Sequence, residues 1–380
     1  MFKHPLWLVG FRPFFTLAFV SGAVLPLLWA LVFSGAVALP GGLDPIRWHA
    51  HEMFYGFGWA VMAGFLLTAS KNWVRVRGMH GGPLALAVAL WLVERVAILL
   101  PLSPFSRVLL NAFTLYVVGY VVWTLVRYRT QDAFKDNGYF VAGLPLFLFA
   151  KNALLTPELW TIGTTLTIGL FRLAFVVMFE RTMTQFMRNA MGTALPRYAP
   201  LDYAIKTAVF LAAFEGFFPA PLAAAATALA GLLLFARFLI WKPLVGLRRF
   251  EIAIMYVGYF GLVVHFALVA LRYAGVWAGV GTLATHVFTL LVMGVVIPGM
   301  LIRISQGHTG RKLLFTRSDR FAIGAMGVAA FARLVLTQVA PGLYLRWIEI
   351  AAVGWSLCFV ILGVRLVPFL FQPRIDEREH

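Results

Sequence analysis

The chain has 380 residues, 61% of them hydrophobic and only 12% charged, and it carries a formal net charge of +17 at pH 7. That composition excludes a soluble globular domain, and the basic balance reads as membrane topology rather than as a nucleic-acid footprint. The single cysteine, Cys358, excludes a disulfide framework, and no C-x-x-C-H heme attachment motif is present.

Apolar runs of about 20 residues, the length that crosses a bilayer as a helix, recur from end to end. In chain order the expected spans are 13–38, 48–70, 83–101, 105–127, 139–157, 160–187, 203–219, 221–241, 250–273, 278–302, 320–340 and 344–370. The first run ends in Ala36-Val37-Ala38, as a cleavage site would. It is too long for a signal-peptide core, so an uncleaved first helix is expected. The loops are short, and no internal repeat or low-complexity linker divides the chain. The expectation is an all-α polytopic membrane helix bundle of about twelve spans, forming one domain over 1–380.

Charge alternates along this ladder. Loop 2 carries Lys71, Arg75 and Arg77; loop 4 Arg127, Arg129 and Lys135; loop 6 Arg188 and Arg197. Loop 8 carries Arg237, Lys242, Arg248 and Arg249, and loop 10 Arg303, Arg311, Lys312, Arg317 and Arg320. The odd loops hold scattered single charges such as Arg47, Arg107, Arg272 and Arg346. By the positive-inside rule both termini are cytoplasmic.

Histidine is scarce, and that makes Trp48-His49-Ala50-His51-Glu52-Met53 informative. Two histidines two residues apart lie roughly 200° apart around a helix, so they cannot share a direction. One helix then serves two centres, or one centre and one internal partner. With the expected topology His49, His51, His265 and His286 fall within about 10 Å of one another in depth, in the outer half. Imidazole suits iron, copper and zinc, and helix bundles build such sites from facing helices. Each histidine also has a structural reading: capping for His49, and a satisfied core residue for His51, His286 and above all His265. Met53 shares the face of His49, and a thioether suits copper, though simple packing accounts for it too. Glu94, Arg95, Lys151, Glu215 and Glu349 share this outer half, with Arg172 and Arg333 deeper; internal ion pairing competes with function for them.

A second cluster is expected at the cytoplasmic end. Arg12 lies in Phe11-Arg12-Pro13-Phe14-Phe15, and Glu180, Arg181 and Arg188 near the inner end of span 6. Loop 10 reads Arg303 to Arg311 with a Gly307-His308-Thr309-Gly310 core. Such a tight turn lets backbone approach an anion, and the arginines suit heme propionates, a lipid phosphate or a carboxylate. Locking of the loop is the competing reading. Walker A, H-E-x-x-H and G-x-S-x-G motifs are absent from the sequence.

Taken together, Phe11 to Phe15, Trp48 to Met53, Ala63 to Ala69 with Asn72-Trp73, His286 with Gly294, and Arg303 to Arg311 resemble the NnrS family across essentially the whole chain. The resemblance implies a bacterial inner-membrane protein with about twelve helices, containing heme and copper. It implies a role in nitric oxide response, denitrification and nitrosative-stress tolerance. It marks His49, His51, His286 and His308 as family positions. The chain departs from the family at Phe179-Glu180-Arg181 with Thr184, where Gly-Gly-Arg and a proline are usual. It departs again at Tyr256-Val257-Gly258-Tyr259, where a histidine leads, and at Ser70-Lys71, where Val-Pro is common. These departures weaken the case for an inner-side site.

The resulting expectation is a multi-pass protein that holds heme b non-covalently, with copper as a second metal. His49, His51 and His286 are the expected ligands, and His265 is a weaker one. Arg12, Arg181, Arg303, His308 and Arg311 are candidate cofactor-binding residues, and no catalytic residue is assigned. The partners expected are the lipid bilayer and nitric oxide, with no nucleic acid. The competing functions are a membrane transporter or heme/copper handling protein, and a scaffold protecting metal-containing partners.

Overall fold

Among residues 4–376, which the computed structural model describes, all regular structure is helical. We number the main helices α1 Phe11–Phe33, α2 Pro45–Trp73, α3 Gly81–Ala97 and α4 Pro104–Arg127. Helix α5 is broken into Gly138–Gly143 and Leu146–Leu154 around Pro145, and α6 is Trp160–Met191. Then follow α7 Ala199–Ala212, α8 Ala220–Ile240, α9 Phe250–Tyr273, α10 Leu283–Gly307, α11 Arg317–Val339 and α12 Tyr344–Phe371. The expected single domain over 1–380 reaches beyond the described residues at both ends.

Nine helices among the described residues are long and apolar enough to cross a membrane. The expected spans 83–101, 139–157 and 203–219 are helical but shorter. Helix α3 has 17 residues and α7 has 14, and α5 is interrupted. The polytopic helical bundle stands, with fewer full-length spans than about twelve. Helix α10 also begins at Leu283 rather than near 278, so His286 lies in its first turn.

Helix starts follow local chemistry. Asp44 caps α2 by accepting from the amides of Ile46 and Arg47, with Pro45 at the first helical position. Reciprocal capping boxes open α4 (Ser103 and Ser106) and α11 (Thr316 and Asp319). Three helices contain a wide π turn: Glu52–Gly58 in α2, Val287–Met293 in α10 and Ala332–Leu336 in α11. In α2 the indole of Trp91 on α3 donates to Gly56 O at 3.1 Å. A Cβ at Gly56 would also meet the Arg95 guanidinium, so glycine here lets Arg95 lie close against α2.

The five basic loops, the start of α1 and the segment after α12 meet at one end of the bundle. Arg12 donates to Leu370 O (2.7 Å) and Gln372 O (2.6 Å). Ala133 N bonds Trp73 O, Arg249 reaches Ala190 O, Arg303 reaches Glu251 O and Arg374 reaches His308 O. This clustering is what the alternating charge pattern requires of a protein whose basic loops share one side.

Candidate functional site

The π turn of α2 directly follows the two histidines, and the expected divergence of their side chains is realised. His49 faces a cavity of ≈320 Å³ at the end opposite the basic loops. Its ring stacks on Trp29 of α1, with centroids 4.1 Å apart and 14° between planes. His286 enters the same cavity from α10. Its Nδ1–H donates to Thr282 O at 2.8 Å, which leaves the Nε2 lone pair for another partner. Met53, one turn beyond His49, also lines this cavity. So do Trp160 and Thr164 of α6, Arg333 of α11, Trp355 of α12 and Arg272 at the end of α9.

His51 is not brought together with His49 and His286. It is fully buried, with Nδ1 2.9 Å from Glu52 Oε1 and its ring 5.5 Å from that of Tyr55. Glu52 is held by Arg95 at 2.9 Å, Arg95 reaches Glu94 at 3.2 Å, and Glu94 pairs with Lys151 at 2.7 Å. Thr114 closes this chain of charges by accepting from Lys151 at 3.1 Å. The helix thus serves one cavity and one internal ion network. The ring spacing of about 200° is the geometric cause.

His265 is a core residue with both nitrogens engaged. Its Nδ1–H donates to Ala284 O at 2.8 Å, and its Nε2 accepts from Arg172 at 3.3 Å. Arg172 also pairs with Glu215 at 3.1 Å. A histidine that spends both nitrogens on protein partners has none for a metal.

At the basic end a second cavity of ≈510 Å³ is lined by Arg303, His308, Asn72 and Arg374, the last of which sequence reasoning missed. Arg303 lies 3.9 Å from the centre of the Phe186 ring. His308 packs against Phe11 at 5.4 Å. Burial, then Arg374 and Lys71, push its pKa down to about 4. The other inner candidates do not line this cavity. Arg12 staples the helix α12 end, as described above. Arg181 pairs with Asp136 (2.6 Å) and sits over the rings of Phe134 and Trp73. Arg311 donates to Gln372 Oε1 at 2.5 Å and covers Phe369 at 4.2 Å. The Gly-His-Thr-Gly segment does form a tight turn, with Gly310 at φ +78°. Gly310 faces Asp376, whose Oδ1 lies 2.6 Å from where a Cβ would sit, so the C-terminal segment occupies the side the turn was expected to offer an anion.

Sequence reasoning also missed a buried network beside α6. Asp136, Glu180 and Asp202 are shared among Arg181, Lys206, Arg237 and Arg197. Tyr259 accepts from Arg237 at 2.8 Å. The signal available in the sequence was the rarity of acids, 15 in the whole chain, several of them inside apolar runs.

Between the two cavities lies a third, ≈110 Å³ and almost wholly apolar. Helices α2, α6 and α10 line all three, with Val61, Ala174 and Met293 in the middle one.

Among the described residues no group of three or more His, Cys, Asp or Glu converges as a metal site. A closed zinc-type centre needs about four protein ligands and does not fit. The donor set is compatible with heme, which would need only one or two ligands from the protein. His49 and His286, on separate helices across one aromatic-walled cavity, offer those. Met53 with the two imidazoles makes a softer set that suits copper.

A family model described as NnrS protein matches residues 5–374, nearly the whole chain. No curated protein matches it.

Proposed function

The chain belongs to the NnrS family, and we propose on that ground that it holds heme b, or copper, in the cavity of His49 and His286 and binds or removes nitric oxide there. In this reading it works in the inner membrane of a bacterium, in nitric oxide response and nitrosative-stress tolerance. The observation that carries the reading is His286. Its Nδ1–H is committed to Thr282 O, so the neutral ring presents Nε2 as a metal ligand, in one cavity with His49. When bound, heme iron supplies a position at which nitric oxide coordinates. The protein's own residues orient the imidazoles, His49 through its stack on Trp29 and His286 through Thr282. The apolar middle cavity excludes charged solutes and accepts a small neutral molecule.

That middle cavity speaks against carriage of heme or copper ions through the bundle, since its wall offers almost no polar group to a charged cargo. The deciding experiment is an absorption spectrum with metal analysis on protein purified after heme-replete expression. A Soret band with stoichiometric iron, lost in His286→Ala, is the expected result. No Soret band and no stoichiometric metal would sink the reading. Uptake into proteoliposomes without a chromophore would favour a transporter, and copurified partners without either would favour a scaffold.

A further inference from the structure

The inward-facing cations of this bundle are, as a rule, matched by acids. Arg95, Lys151, Arg172, Arg181, Lys206 and Arg237 each contact a carboxylate. Arg333 breaks the rule. It is 9% exposed and sits on the π turn of α11. Its Nη2 donates to Thr282 Oγ1 at 3.3 Å and Tyr344 Oη at 3.0 Å, both neutral acceptors. No ion pair to Arg333 is present among the described residues, and none of the residues lining its cavity is acidic. A buried charge in a membrane helix without a counter-charge is costly, and such residues pair or mark a site.

Two residues lining this cavity also carry a buried polar atom without a partner. Trp355 is 5% exposed, its ring lines the cavity, and its Nε1–H has no acceptor. Indole nitrogen only donates, so the vacancy is one for an acceptor. Thr164 Oγ1, on the facing helix α6, is also buried and without a partner. Thr282 ties the arrangement to His286: its carbonyl accepts from the imidazole and its hydroxyl from Arg333.

We propose that this cavity binds a planar oxyanion of single charge, of the carboxylate or nitrite class, against Arg333, with Trp355 and Thr164 completing its hydrogen bonds. The planar guanidinium matches such an anion in shape and charge. The anion is either a free solute or a carboxylate arm of a prosthetic group seated on the histidines. The proposal rests on the cavity alone and goes beyond the metal reading.

The test uses full-length protein purified in detergent without heme, titrated with sodium formate and followed by tryptophan fluorescence. Saturable binding is expected, weakened about tenfold or more in Arg333→Gln, as loss of a charge-assisted hydrogen bond predicts. Arg333→Lys keeps the charge and loses less. Trp355→Phe keeps the packing and weakens binding severalfold, which preserves the test if Arg333→Gln does not fold. The formate titration is run before any heme is added, so failure of the heme site is read separately. Loading with heme then identifies the source. Formate binding that survives loading marks a free solute. Formate binding abolished by heme, but not by heme dimethyl ester, marks the prosthetic carboxylate. No saturable formate binding together with equal affinity for heme and its dimethyl ester overturns the proposal. So does native-like formate binding in folded Arg333→Gln and Trp355→Phe.

Discussion

At the scale of single residues, three histidines of one chemical type have three different duties, and their hydrogen bonds separate them. His286 gives one nitrogen to a backbone carbonyl and keeps the other. His265 gives both. His51 is turned into the Glu52–Arg95 pair. His49→Ala and His286→Ala are therefore expected to lose most bound heme. His51→Ala is expected to keep it but to unfold more easily, by about 1–3 kcal/mol, because it strips a partner from buried Glu52. Heme titration and detergent melting on the three variants check this, and full heme occupancy in both His49→Ala and His286→Ala would refute the ligand assignment. His308 gives a pH prediction. Its folded pKa of about 4 lies below the ordinary histidine value of 6.5, so the unfolded chain takes up a proton first as pH falls. Stability is full above about pH 6.5 and declines as pH drops through 4. In His308→Gln the melting profile between those values should be flatter. That the two histidines of α2 diverge follows from helical spacing alone. Which of them meets the cavity does not, since periodicity gives an angle between side chains and no absolute direction.

At the scale of helices, the twelve apolar runs all become helical, because every backbone polar group in lipid must bond within its own segment. What hydropathy does not carry is the interruption of a helix. The break in α5 leaves an apolar run unbroken in composition, and a π turn changes no residue's polarity. The three π turns matter here because the first begins just after His51 and carries Met53, the second adjoins His286 and the third carries Arg333. A widened turn re-aims the side chains beside it and is often found at functional sites. In α2 the carbonyl of Gly56 accepts from the Trp91 indole as well as from the Trp59 amide. Trp91→Phe should therefore cost about 1–2 kcal/mol of stability and loosen heme binding, because the turn that follows His49 loses its fastening. Unchanged heme affinity in the folded variant would detach the π turn from the site. Nor could sequence spacing reveal contacts such as Asp136 with Lys206, or Arg303 with Glu251 O, which join residues far apart in the chain.

At the scale of the whole bundle, three cavities are stacked along α2, α6 and α10, from the paired histidines to His308 and Arg303 at the basic end. The middle one is the smallest of the three and the least polar. A small neutral molecule such as nitric oxide prefers apolar surroundings, so the proposed function predicts that the middle cavity serves it as a route or reservoir that ions cannot use. Ala174 of α6 lines it. Ala174→Trp should fill most of the space while leaving His49, His286 and Arg333 in place. The expected outcome is slower rebinding of nitric oxide after flash photolysis of heme-loaded protein, by about tenfold if the plug adds ~1.4 kcal/mol to the entry barrier. The resting absorption spectrum should stay unchanged, because the proposed ligands His49 and His286 line the other cavity. Rebinding at the native rate, with the spectrum also native, would mean that nitric oxide enters from the lipid or from the outer side and that the middle cavity serves packing alone. An altered spectrum would instead show that α6 had shifted, and Met293→Phe, which plugs the same space from α10, would then repeat the comparison from the other wall.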